Sequence, residues 1–203
     1  RYVLRDDENR LVAEGEAAVA GGAIDHQVDV PRVRLWWPAT HGDQPLYRLR
    51  LDLIDAQDRL SDRCTRTIGF RRIRWLNNPS APPDARPYLC EINGTSMFLR
   101  GVNWVPLSPF YGSVGAERYE AMLRLYRNMN ANVLRVWGGG ILERPEFFDL
   151  CDRLGLLVWQ EFPLSSSGID NWPPEAPEAI AGLRRIAEEY ILRRGHHASH
   201  LLW

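Results

Sequence analysis

Asn132-Val133-Leu134-Arg135-Val136-Trp137-Gly138-Gly139-Gly140 is the stretch whose reading decides the fold. A short apolar run of buried-strand character leads straight into an Arg, a Trp and three glycines. Strands buried in a parallel α/β sheet read as near-continuous apolar runs, and ligands collect at their carboxyl ends. At such an end an Arg offers a forked pair of donors to a carboxylate, a Trp offers a flat face, and glycines let the backbone turn sharply. The stretch reads as part of an active-site rim.

Outward from it, apolar strands alternate with stretches of helical period. Met97–Val102 is the expected first strand, Val133–Trp137 the second, Leu156–Phe162 the third, and His200–Trp203 begins a fourth. Tyr119, Met122, Leu123 and Tyr126 recur at helical spacing between the first two. Phe147, Leu150, Cys151 and Leu154 form an apolar stripe opened by Pro145 and stopped by Gly155. Ile180, Leu183, Ala187, Tyr190 and Ile191 line a third helix, whose outer face carries Arg184–Glu188 and Arg185–Glu189 pairs. A doubly wound sheet would be expected to carry a glycine-rich phosphate loop after its first strand. Arg100-Gly101-Val102-Asn103-Trp104 has no such spacing, and neither do the glycines at 138–140. The reading favours a (β/α)8 barrel, and because such a barrel takes about 250 residues, residues 88–203 are expected to form only its N-terminal part.

Before residue 77 the period is two. Leu49, Leu51 and Leu53 alternate with Arg48, Arg50 and Asp52, the pattern of a half-buried antiparallel strand. Ile24, His26, Val28 and Val30 suggest another, with His26 as a partly covered core residue. Turn residues at 6–9, 21–22, 41–43 and 55–58 separate short strands, as in a β-sandwich that is incomplete at its N-terminal side. Residues 77–87 hold four prolines in eleven positions, which excludes helix and central strand and marks a linker. Asn93-Gly94, between two apolar runs, signals a hairpin. The expected division is therefore 1–76, 77–87 and 88–203.

Composition limits the partners. With 25 basic and 26 acidic side chains, no overall field draws nucleic acid or an anionic membrane. No run approaches the roughly 18 apolar residues of a membrane helix. Cys64, Cys90 and Cys151 have no spacing that suggests zinc or a redox pair, and Cys151 reads as an inert core thiol. The chain opens at Arg1 in mid-pattern, so the compartment is left open.

Three motifs in series carry a family resemblance: Phe98-Leu99-Arg100-Gly101-Val102-Asn103-Trp104-Val105-Pro106, Asn132 to Gly140, and Leu156-Leu157-Val158-Trp159-Gln160-Glu161-Phe162. They resemble the opening strands of the catalytic barrel of glycoside hydrolase family 2, in its β-mannosidase branch. Upstream, Pro31 to Pro38, Pro45-Leu46-Tyr47 and Gly69-Phe70-Arg71 resemble the immunoglobulin-like sandwich that precedes that barrel. The resemblance implies a retaining exo-β-glycosidase acting on terminal β-linked sugars without cofactor or metal. Other family 2 exo-glycosidases, or a non-catalytic sugar-binding fragment, are the alternatives.

The resemblance also implies roles. The acid/base and nucleophile Glu residues are expected beyond Trp203, so no catalytic carboxylate is assigned here. Arg135 is expected to face the nucleophile, Trp137 to wall the terminal sugar, and Asn103 and Trp104 to supply a hydroxyl-binding amide and a further wall. Glu161 stands where the family more often has Asp, and its extra methylene points to a contact behind the substrate as readily as to the substrate itself. His196 and His197, adjacent on a turn, are expected to fix the entry of the fourth strand rather than to chelate zinc. Trp36 and Trp37 are expected to pack between the two halves rather than to bind sugar.

Overall fold

The computed structural model describes residues 1–164 and 175–203, with mixed β sheets and helices. An antiparallel sheet in the order β2-β1-β3-β4 is built from β1 (Tyr2–Arg5), β2 (Leu11–Gly15), β3 (Tyr47–Ile54) and β4 (Leu60–Ile68). The expected alternation along Tyr47–Ile54 pairs in register with β4 from Tyr47↔Ile68 to Leu53↔Asp62, with a shift before Ile54↔Leu60. Its apolar face is only half covered, since Leu51 and Leu53 are 38% and 43% exposed. Residues 24–30 form no strand, in contrast to expectation, and His26 is exposed beside the Tyr2 ring. Alternation alone does not make a strand when no neighbouring backbone accepts its hydrogen bonds.

A second antiparallel sheet joins β5 (Ile73–Leu76), β6 (Leu89–Ile92) and β7 (Thr95–Met97). Asn93 and Gly94 both have positive φ, 52° and 84°, as the two-residue hairpin turn between β6 and β7 requires. The proline-rich stretch 77–87 is thus a connection within one sheet, since β5 before it pairs residue for residue with β6 after it. The last strand of the expected 1–76 segment thus pairs with the first strand of the expected 88–203 segment.

The third sheet is parallel, in the sequential order β8-β9-β10-β11: β8 (Gly101–Trp104), β9 (Val133–Val136), β10 (Leu157–Gln160) and β11 (His200–Leu202). Its first strand starts later than the expected Met97–Val102, because Thr95–Met97 is taken up by the hairpin. The helices are α1 (Ala116–Asn128), α2 (Pro145–Leu154) and α3 (Pro177–Arg194). Pro145 opens α2 at its first turn, and Gly155 closes it in the left-handed conformation at φ 72°.

Strand parity decides which side chains meet the helices. Trp104, Leu134, Val136 and Val158 share one core with Tyr119 and Leu123 of α1, Phe147, Phe148, Leu150, Cys151 and Leu154 of α2, and Tyr190 of α3. Among the described residues, all three helices therefore cover the same face of the parallel sheet. α3 is the loosest, with Tyr190 its buried residue and Leu192 84% exposed. Arg184 pairs with Glu188 as expected, whereas Glu189 pairs with Arg193 instead of Arg185.

A second core joins the three-stranded antiparallel sheet and Trp36 to the parallel sheet: Trp36, Cys90, Ile92, Met97, Leu157, Ala198 and Leu201. The Trp36 indole donates to the Asp152 carbonyl oxygen at 2.8 Å, so its role is packing, as the sequence suggests. Half-buried Arg71 donates from Nε to the Ala198 carbonyl oxygen (2.8 Å) and from Nη2 to that of His200 (2.5 Å). The buried Asp152 carboxylate binds His197 Nδ1 and accepts from the Ser199 backbone N–H, both at 2.7 Å. His197 thus secures the entry to β11. Asp149 is also near, but both Asp152 oxygens are already committed.

Asp152→Ala removes both acceptors from a buried pair and leaves the Ser199 N–H unpaired. It is expected to cost about 3 kcal/mol in urea denaturation, with Asp152→Asn costing less because it keeps one acceptor. A loss under about 1 kcal/mol for the Ala variant would contradict this anchoring role.

Buried His200 is drawn down to a pKa of about 4, first by burial and then by the charges of Arg71 and His197. Between that value and the ordinary 6.5, the unfolded chain binds a proton that the folded chain refuses. Stability from this group is whole above about 6.5 and lost as pH falls toward about 4. Melting at pH 7 and pH 5 is expected to show a larger drop for the native sequence than for His200→Gln. Equal drops would remove His200 as the source.

Candidate active-site rim

The carboxyl ends of β8, β9 and β10 bring three of the five expected residues together. Parallel pairing sets Asn103 beside Arg135, and Arg135 beside Trp159, on the face away from the helices. Arg135 Nε donates to Glu161 Oε1 at 2.7 Å, Nη2 lies 2.5 Å from the same oxygen, and Nη1 donates to Asn103 Oδ1 at 2.9 Å. The guanidinium also stands over the Trp159 ring, 5.7 Å from its centroid. Glu161 uses its other oxygen, Oε2, to accept from the Gly138 backbone N–H at 2.9 Å. One carboxylate therefore holds both the Arg and the turn that follows β9. Such charge-assisted bonds to a forked guanidinium fix orientation as well as position.

The glycine run is explained by space rather than by backbone freedom, since none of Gly138, Gly139 and Gly140 has positive φ. A Cβ on Gly138 would meet the Phe162 carbonyl oxygen at 2.7 Å, and one on Gly139 would fall within the Trp137 ring. Trp137 thus lies over the turn, 38% exposed.

Trp104 is placed elsewhere. One residue after Asn103, it falls on the opposite face of the strand and is 1% exposed in the core beneath the helices. Its indole donates to Glu143 Oε1 at 2.8 Å, and Tyr119 donates its hydroxyl to Oε2 at 3.0 Å. The expectation of a wall at Trp104 gives way to this buried network. Burial, reinforced by the Glu143 charge, pushes the Tyr119 hydroxyl up to about 12. Tyr190 donates to the Glu143 carbonyl oxygen at 2.6 Å, so α1, α3 and β8 all meet at this one residue.

Two residues at or behind the rim, Trp159 and Glu143, escape the sequence reading. Trp159 sits in an apolar run that reads as wholly buried, and only strand parity shows it on the same face as Arg135. Glu143 lies in the irregular stretch between β9 and α2, where no periodicity marks a residue as inward. The open face below the rim is a cavity of about 680 Å³ lined by Leu99, Gly101, Asn103, Val133, Arg135 and Trp159, among others.

Residues 3–71 match the family model for glycosyl hydrolases family 2. β-Mannosidase B of Thermothelomyces thermophilus is 33% identical over 191 residues, 94% of this chain and 22% of that protein. The crystal structure of β-D-mannosidase from Dictyoglomus thermophilum superposes with a TM-score of 0.83 at 28% identity, covering 100% of this chain and 25% of that one. β-Glucuronidase 3 of Bacteroides uniformis gives a TM-score of 0.75 at 25% identity, over 100% of this chain and 23% of its own. The chain spans about a quarter or less of the length of these proteins. With the family model matching upstream and β-mannosidase sequences matching from end to end, the chain belongs to glycosyl hydrolase family 2.

Proposed function

We propose that this chain forms part of a retaining, exo-acting β-mannosidase that releases terminal β-linked mannose. In this reading residues 88–203 are the opening part of a (β/α)8 catalytic barrel and residues 1–76 belong to an immunoglobulin-like sandwich, with 77–87 between them. Sequential parallel strands with their helices on one face support the barrel, whose inner face would be the open one. The observation that carries the function is the convergence of Asn103, Arg135 and Glu161 at the carboxyl edge of that sheet.

A retaining glycosidase needs two carboxyl groups about 5–5.5 Å apart, one as acid and then base, the other as nucleophile. In this proposal both come from sequence after Trp203. Arg135 then keeps the nucleophile ionised and aimed, because a fixed positive charge favours the anionic carboxylate. Trp137 presents a ring against which the C–H face of a sugar packs. Asn103 donates to a sugar hydroxyl: a guanidinium only donates, so the Asn103 oxygen must face Arg135 and the amide N–H₂ is left for the ligand. No cofactor or metal enters the proposed reaction.

The likeness to a β-glucuronidase favours a second reading, an exo-glycosidase of the same family with a different sugar. A panel of aryl β-mannoside, β-galactoside and β-glucuronide separates the two in the full-length protein. The mannoside is expected to be preferred, and a clear preference for either of the others would overturn the sugar assignment. Arg135→Lys keeps the charge but loses the fork, and is expected to cost about 2–3 kcal/mol of transition-state stabilisation, roughly 30- to 200-fold in rate. A near-normal kcat in that variant would reduce Arg135 to a structural ion pair.

A further inference from the structure

We propose that Glu161 is the positioning residue of this rim: it acts on the reaction through Arg135 and Asn103, and neither donates a proton nor touches the sugar. The proposal rests on the glycosidase reading above and adds a role that reading leaves open.

Four observations carry it. Both Glu161 oxygens are committed, Oε1 to Arg135 through Nε and Nη2, and Oε2 to the Gly138 N–H. A general acid needs a proton on an oxygen that faces the leaving group, and here both oxygens are turned toward donors, Arg135 and the Gly138 N–H, that favour the ionised carboxylate. The contacts form a chain: Glu161 fixes the guanidinium, whose remaining arm reaches Asn103 Oδ1 and turns the amide so that its N–H₂ is presented. The Trp159 ring beside the guanidinium restricts its swing. Finally, Gly138 admits no side chain, because a Cβ there would meet Glu161 Oε2 at 3.2 Å and the Phe162 carbonyl oxygen at 2.7 Å. The turn that carries Trp137 is thus seated directly on Glu161. The longer reach of Glu over Asp fits this double duty, since one carboxylate spans from the guanidinium to the backbone of the neighbouring turn.

The test uses the full-length protein with Glu161→Gln, Glu161→Asp and the double variant Glu161→Gln with Arg135→Lys. Glu161→Gln replaces one oxygen with a donor that cannot accept from Gly138 or Arg135. Misplacement of reacting groups by a fraction of an ångström to an ångström costs up to about 100-fold. A fall in kcat of roughly 10- to 100-fold is expected, the same for activated and poor aryl leaving groups, with both limbs of the pH profile retained. Glu161→Asp is expected to fall by a comparable factor, since it reaches only one of its two partners. The double variant is expected to be little worse than Arg135→Lys alone, because both changes cut the same chain. Losses that multiply, a loss confined to poor leaving groups, or disappearance of one pH limb would each overturn the proposal. So would an unchanged kcat accompanied only by a lower melting temperature. If the native protein hydrolyses none of the aryl glycosides, the glycosidase reading fails on its own. Positioning is then judged by the crystal structure of Glu161→Gln: a displaced Arg135 guanidinium and Gly138 turn support it, and unmoved ones overturn it.

Discussion

Close approach of Gly101 to Val133 sets the frame for the whole rim. These two residues are register partners, and a Cβ on Gly101 would collide with the Val133 carbonyl oxygen. Asn132 tightens the same joint, accepting from the Arg100 N–H at 2.7 Å and donating to the Phe98 carbonyl oxygen at 2.9 Å. With that register fixed, Asn103 must lie beside Arg135, and Arg135 beside Trp159. A slip of one residue would carry Asn103 into the helix-covered core and turn Trp104 outward. The chemistry of the rim is therefore a consequence of backbone packing two residues below it.

The two halves of the chain are tied together through buried and half-buried polar groups as well as apolar contact. Trp36, Arg71 and Asn93 reach from the connections of the antiparallel sheets to backbone atoms, Trp36 bonding Asp152 of α2, Arg71 bonding Ala198 and His200 at the start of β11, and Asn93 bonding Trp36 itself. Arg71 is the costliest of these, since burial disfavours its charge even with Asp152 near. Asp152 answers from the other side, holding His197 and Ser199. The start of β11 is consequently defined by Arg71 on one side and Asp152 of α2 on the other rather than by its own three residues.

Much of this arrangement was legible in the sequence. The runs at 133–136 and 157–160 are short, apolar and β-branched or aromatic, and they form strands as expected. Pro145 and Gly155 mark the ends of α2 because one lacks an N–H and the other tolerates positive φ. Arg135 was identifiable as a rim residue because it interrupts an apolar run just before Trp137 and three glycines, whereas Asn103 and Glu161 were placed at the rim by the family resemblance. What was not legible depends on tertiary partners. Trp104 differs from Asn103 only in parity, which the register decides. Residues 24–30 alternate convincingly yet pair with no strand among the described residues. The Glu143 network and the Asp152–His197 pair join segments 24 to 47 residues apart, a distance no local pattern spans.

The central claim is that the open face of the parallel sheet, at Asn103 and Arg135, is where a sugar binds. The most direct measurement is a crystal structure of the full-length protein with a non-hydrolysable β-mannoside analogue. A sugar hydroxyl is expected within hydrogen-bond distance of the Asn103 amide nitrogen, with Arg135 still held by Glu161 and Trp137 against the ring. A sugar seated on the antiparallel sheets instead, with the Asn103–Arg135 rim empty, would contradict it.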